Sequence, residues 1–241
     1  MSRKIRLYFR KKLEEDLISS LSSEQSHYIK NVMRVKQGNI ISLFNSNDGE
    51  WDARIINHKR DSTEFKIEKI SRSQEFENNL WLAFSPIKKI PLDVMIQKTT
   101  ELGIQKFIPI LCERSAVKDI NINRVKKIIV EASEQSNRLS IPEIKNMESI
   151  KDFLNHFPKN GSIIFCDVNC GEKNLKQILS KQVEGPICIL VGPEGDFSET
   201  ERQLIIDLDQ SFPLSLASNI LRAETAAIAA VTIVNFQLNS R

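Results

Sequence analysis

The stretch CILVGPEGDFSETERQLIIDL, residues 188–208, sets Gly192 and Gly195 around Pro193 and Glu194 at the end of an apolar run. Glycine lets a backbone come close to a ligand, and proline fixes its own φ. Ser198 with Glu201 then forms a capping box that starts the next helix. Further on, LSLASNILRAETAAIAAV, residues 214–231, brings Arg222, Glu224 and Thr225 together just before a helix of Ala, Ile and Val. A carboxylate held at a strand end can take a proton, and a guanidinium there can stabilise a developing negative charge. The same two side chains on an open surface form an ion pair worth a few tenths of a kcal/mol.

The ligand class follows from charge. G-x-x-G lacks the G-x-G-x-x-G spacing and comes late in the chain, and Glu194 and Asp196 would repel a pyrophosphate. Two acids in a backbone-lined turn suit a neutral or cationic ligand. S-adenosylmethionine, with its sulfonium and amino group, is such a candidate.

The elements that position these loops are legible in periodicity. From Ile5 to about Ile70, the runs IRLYF, NIISLFN, WDARIINH and TEFKIEKI alternate apolar with polar residues, as short strands do. One helix interrupts them: Ser22 and Gln25 make a capping box, with Ile29, Val32 and Met33 expected on one face. Beyond the polar linker SRSQEFENN, apolar runs alternate with helical patterns: LWLAF, PLDVMIQKTTELG, KFIPIL, INRVKKIIVEASEQSNRL, SIIFC, EKNLKQILS, ICILV, SETERQLIIDL, FPLSL and a last long helix. That alternation predicts a parallel sheet with helical crossovers. Two domains are expected, a mostly β one at 1–74 and an α/β one at 75–241. In an open α/β sheet, ligands sit outside the carboxyl ends of the strands, where both loops fall. Leu92, Met95, Ile96 and Thr99 read as core, and Gly103 as a helix cap. The terminal helix is apolar on nearly all sides, which predicts burial from more than one direction.

Bulk properties limit the alternatives. The 241 residues carry 34 Lys+Arg against 31 Asp+Glu, a formal charge of +3, so a basic surface must be local. MSRKIRLYFRKK is one such stretch, with no acid in it. Cys112, Cys166, Cys170 and Cys188 sit in or beside apolar runs without metal-ligand spacing, and His27, His58 and His156 are scattered, so no metal is expected. AAIAAVTIV is too short to span a bilayer and no signal region follows the N-terminal basics. A cytoplasmic protein with no membrane partner is expected.

Five ordered segments carry a family resemblance: HYIKNVMRVKQGNIISLFN, QKTTELGIQKFIPILCERS, EASEQSNRLSIPEI, LVGPEGDFSETE and LASNILRAETAA. Together they resemble the RsmE family, bacterial methyltransferases acting on N3 of a uridine in 16S ribosomal RNA, and the match spans nearly the whole chain. The chain departs at Asp196, Ala217 and Asn137, where the family usually has Gly, and at Asn219, where it has Arg. These departures bear on local cofactor and RNA contacts.

The resemblance implies a SPOUT-class C-terminal domain with a trefoil knot, a PUA-like N-terminal β-barrel, S-adenosylmethionine as cofactor, a homodimer, and the small ribosomal subunit as partner. It makes the two loops above the knot loops. Leu190, Val191, Gly192, Pro193, Glu194, Gly195, Leu216, Ala217, Ile220, Leu221 and Ala226 are then expected to hold the cofactor. Arg222, Glu224 and Glu194 are the expected catalytic groups. Arg3, Lys4, Arg6, His27, Arg34, Arg114 and Arg138 are the expected RNA contacts, forming a basic track. Two other readings stay open: a related knotted methyltransferase with another RNA target, and a non-catalytic RNA-binding or assembly factor.

Overall fold

The computed structural model describes residues 4–74, 77–167 and 185–239; Arg3, Cys170 and the expected helix EKNLKQILS lie outside them. The chain divides into two compact units, Met1–Phe76 with Ser133–Ile141, and Glu77–Ala132 with Pro142–Arg241.

In the first unit, β1 (Arg6–Tyr8), β2 (Ile18–Ser20), β3 (Ile40–Asn45), β4 (Gly49–His58) and β5 (Thr63–Arg72) form a sheet of order β1-β3-β4-β5-β2. β1 runs parallel to β3 and the remaining pairs are antiparallel. Alternation sends Thr63, Phe65 and Ile67 of β5 inward, against Leu7, Leu43, Ile55 and Ile29. The predicted capping box at Ser22 and Gln25 is present, but helix α1 spans only Ser23–His27. A π-turn, Tyr28–Val32, follows, closed by Met33 N–H donating to the Tyr28 carbonyl at 2.9 Å. The wider turn rotates Val32 and Met33 away from the face that buries Ile29, leaving them 58% and 42% exposed, which corrects the expectation of one shared face.

Arg6 has all five guanidinium N–H groups engaged. Nε and Nη2 grip both oxygens of Glu50 at 3.1 Å, Nη1 donates to the carbonyls of Ser133 and Glu134, and Nη2 also reaches the Arg138 carbonyl at 2.7 Å. Its plane lies over the Phe44 ring, 4.3 Å from the centroid. Carbonyls 133 and 134 belong to the last turn of a helix that ends at Gln135.

In the second unit the elements are β6 (Leu80–Phe84), α2 (Lys89–Glu101), β7 (Lys106–Leu111), α3 (Ile122–Gln135), β8 (Glu143–Ile144), β9 (Glu148–Ser149) and α4 (Ile150–His156). Then follow β10 (Ser162–Cys166), β11 (Ile187–Val191), α5 (Glu199–Ile206), β12 (Ser211–Leu214) and α6 (Ala223–Asn239). The last three residues of α3 belong to the first unit. The sheet order is β12-β10-β11-β6-β7-β8, parallel throughout. β11, central and buried along its whole length, is continuously apolar for that reason. Leu92, Met95, Ile96 and Thr99 are buried as expected, and Gly103 at φ 101° ends α2. Asn235 of α6 donates to the Leu102 carbonyl at 2.9 Å, joining the last helix to the end of α2. α6 buries Ala226, Ala227, Ala230, Val231 and Val234, while Ile233 and Phe236 are 38% and 67% exposed in the single chain.

Candidate active site

The carboxyl ends of β6, β7 and β11 are laced together at the centre of the sheet. Ser85, the residue after β6, donates its N–H to the Val191 carbonyl at 3.0 Å, and its hydroxyl lies 2.7 Å from that of Ser115. Ser115 Oγ in turn accepts the Cys112 N–H at 2.9 Å, closing the turn after β7. Glu201 ties this turn to the loop after β11: Oε1 accepts Glu113 N–H at 2.7 Å and Oε2 accepts Ser198 N–H at 2.9 Å. The predicted capping box of Ser198 and Glu201 is therefore present and also bridges two loops. Arg114 Nη1 donates to the carbonyls of Gly195 and Phe197, both at 3.2 Å.

This lacing fixes a short backbone platform. Leu190 and Val191 are buried strand residues, Pro193 is buried, and Gly192 is partly covered, with Glu194, Gly195 and Asp196 exposed at the rim. A Cβ on Gly192 would stand 3.0–3.2 Å from the Phe197 ring, so a side chain there would displace the ring. Asp196 has φ 61° and its carboxylate accepts the next N–H, Phe197, at 2.8 Å. Asn137 in the first unit has φ 67°. Asp196 and Asn137, two of the three positions where the resemblance led us to expect glycine, thus have a left-handed backbone, in residue types that tolerate it.

The second loop, 215–222, leaves β12 at the sheet edge and enters α6, which packs on β11 and α2. Leu216, Ala217 and Leu221 are partly exposed, and Ile220 is 86% exposed. Arg222 is exposed and its carbonyl accepts Ala226 N–H; Glu224 is half-buried in the first turn of α6, and Ala226 is buried behind it. Beside β12, Asp167 is buried at the end of β10 and gripped by Arg202 of α5, with Nη2 at 2.7 Å. Motif and spacing do not point to Ser85, Glu113, Ser115, Asp167 or Arg202; all but Arg202 follow a strand end, and that position is the signal the sequence offers for them.

The expected RNA contacts divide. His27 and Arg34 are exposed, Arg34 at φ 53°, and Lys4 is half-exposed with its ammonium on Asp52 at 2.8 Å. Arg6 and Arg138 are 8% exposed and leave the track, because Arg6 is saturated as described and Arg138 is packed in the same network. Arg114 is exposed and donates to the loop after β11. Among the described residues, no helix is long and apolar enough to cross a membrane, and no cluster of His, Cys, Asp or Glu could hold a metal ion. Burial, reinforced by the Glu201 charge, pushes the Cys112 thiol up to about 12, and burial pushes Cys188 to about 12, consistent with packing roles.

A glycine-bearing turn with exposed backbone at the carboxyl end of a parallel strand allows close approach by a flat heterocycle. The parallel sheet with these loops defines a SPOUT-type methyltransferase domain. A family model described as an RNA methyltransferase domain matches residues 74–235, and one described as an RNA methyltransferase PUA domain matches 21–68. The ribosomal RNA small subunit methyltransferase E of Rickettsia conorii is 35% identical over 95% of this chain and 94% of its own. That of Bacillus subtilis is 27% identical over 95% of this chain and 93% of its own. The crystal structure of the Neisseria gonorrhoeae enzyme of that name, bound to S-adenosyl methionine, superimposes with a TM-score of 0.87 at 25% identity, covering 97% of this chain and 98% of that one. The chain belongs to the ribosomal RNA small subunit methyltransferase E family.

Proposed function

We propose that this protein transfers a methyl group from S-adenosylmethionine to N3 of a uridine in 16S rRNA of the small ribosomal subunit, as a cytoplasmic homodimer. The observation that carries the reading is the rigid platform at the carboxyl ends of β6, β7 and β11, with Gly192 and Gly195 at its rim. The cofactor, when bound, supplies a methyl group on a sulfonium. Backbone groups of 191–195 would read the heterocycle, and Leu216, Ile220, Leu221 and Ala226 would pack on it. Rigid loops suit the reaction because in-line displacement depends on holding the acceptor in alignment.

The uracil imide must lose its proton as the new bond forms. Glu224, half-buried in the first turn of α6, would take that proton; Glu194, at the rim, is the second choice. Arg222, next to Glu224 in the chain, would stabilise negative charge on the uracil oxygens. His27, Arg34 and Lys4 remain the barrel's candidates for phosphate contacts. The exposed Ile233 and Phe236 of α6, with Ile90 and Val94 of α2, are the face proposed to meet a second copy.

Small subunits from cells lacking the protein, incubated with it and S-adenosylmethionine, should gain one methyl on a uridine base by mass spectrometry of 16S rRNA digests. A methyl on another RNA or on ribose would favour a related knotted methyltransferase. Absence of cofactor binding by calorimetry would favour the non-catalytic factor. Equal single-turnover rates for wild type and Glu224→Gln at saturating substrates would remove that residue from the role of base.

A further inference from the structure

Arg114 uses one nitrogen on the loop after β11 and leaves the other edge of its guanidinium open. Both N–H groups of Nη1 are engaged, by the carbonyls of Gly195 and Phe197 at 3.2 Å. A Cβ on Gly195 would lie 3.4 Å from Arg114 Cβ, so the loop backbone runs close beside the arginine stem. Nε and Nη2 have no acceptor among the described residues, and the side chain is exposed. The Nε/Nη2 edge is the one that receives a phosphate or carboxylate in two parallel hydrogen bonds, and it can do so without releasing the loop.

We infer that Arg114 is a positioning residue that couples a backbone phosphate of the RNA substrate to the shape of the cofactor loop. The inference depends on the assignment of loop 192–197 to S-adenosylmethionine. An exposed arginine spends much of its time in other rotamers, so its bonds to two loop carbonyls stabilise the loop little by themselves. A phosphate seated on the open edge fixes the side chain, and the carbonyls then meet a donor already in place. By linkage, RNA raises cofactor affinity and cofactor raises RNA affinity by the same factor. Lysine cannot substitute, since a single ammonium does not present the two edges at once. The neighbouring lacing by Glu201 and Ser115 holds the backbone of the Arg114 turn, so the coupling runs through the arginine side chain.

The test measures S-adenosylhomocysteine affinity by equilibrium dialysis, with and without unmethylated small ribosomal subunits, for wild type, Arg114→Lys and Arg114→Gln. Thermal melting checks that each variant is folded. Wild type should bind about tenfold tighter when subunits are present, and both variants should show nearly no such gain, with cofactor affinity alone within about threefold of wild type. Steady-state assays should show raised KM for cofactor at saturating subunits in both variants. Undiminished coupling in either variant overturns the inference. So does a large loss for S-adenosylhomocysteine alone that is not seen with methylthioadenosine, because the arginine would then be holding the cofactor's own carboxylate. Gly195→Trp separates the two readings. If it abolishes cofactor binding while the Arg114 variants keep their coupling, only this inference fails; if it leaves binding intact, the assignment of the loop itself fails.

Discussion

Glu201 accepts the backbone N–H of Glu113 at 2.7 Å while its second carboxylate oxygen accepts that of Ser198, so one side chain caps α5 and ties the β11 loop to the end of β7. It is 7% exposed. Replacing it with Ala leaves two backbone donors without their acceptor. Glu201→Ala should cost about 2 kcal/mol of folding stability by urea unfolding, and should weaken cofactor binding beyond that cost. Glu201→Gln, which keeps one acceptor, should lose about half as much. Equal cofactor affinity in folded Glu201→Ala would separate the bridge from the site.

Asp196 holds a left-handed backbone at φ 61° in the loop after β11. Asp196→Gly should fold with stability within a few tenths of a kcal/mol of wild type, and Asp196→Val should lose about 1–2 kcal/mol, because a β-branched side chain clashes there. Thermal melting of the three proteins checks this. If valine is tolerated as well as glycine, backbone conformation is not what constrains the position.

Glu50 is buried in the barrel between Arg6, Arg72 and Ser42. Burial alone would raise its pKa, but hydrogen bonds from Arg6 and Ser42 and the charges of Arg6 and Arg72 outweigh it and hold the carboxyl below 4.5, its ordinary value. The unfolded chain therefore binds the proton more readily than the fold. The contribution to stability is complete above pH 4.5 and is lost as pH falls through the lower folded value. Glu50→Gln should be destabilised by about 3 kcal/mol at pH 7, since Arg6 keeps its charge in a buried site, and its stability should fall less steeply in acid than that of wild type. Chemical denaturation between pH 3 and 7 reads both effects.

Phe236 is 67% exposed on the same helix that buries Val231 and Val234. Phe236→Glu should convert the proposed dimer to monomer in sedimentation while the melting temperature of the monomer stays that of a folded chain. A monomeric wild type, or a dimer unaffected by the charge, would leave this face without the partner assigned to it.

Much of the architecture was legible because it rests on local pattern. The alternation in TEFKIEKI matches inward Phe65 and Ile67, and both capping boxes form at the residues that spell them. β2 was not legible, since three residues beside β5 carry no period. The π-turn was hidden for a related reason: HYIKNVM fits a 3.6-residue repeat, and the structure departs from that repeat within it. The two glycine-bearing loops stood out by composition, but Ser85, Asp167 and the bridging role of Glu201 depend on which strands lie side by side. Arg6 shows the limit of reading charge. It lies in an acid-free basic stretch, yet its neighbours in space are Glu50 and three carbonyls far along the chain.

Those carbonyls, at residues 133, 134 and 138, give the barrel a dependence on time. As the polypeptide leaves the ribosome, Arg6 and Glu50 emerge early and can pair at once, but the other acceptors for that guanidinium follow much later, at residues 133, 134 and 138. A nascent barrel thus waits with two of its five donors at most on a carboxylate and the rest on water. A fragment cut at residue 74 should remain arrested at that stage.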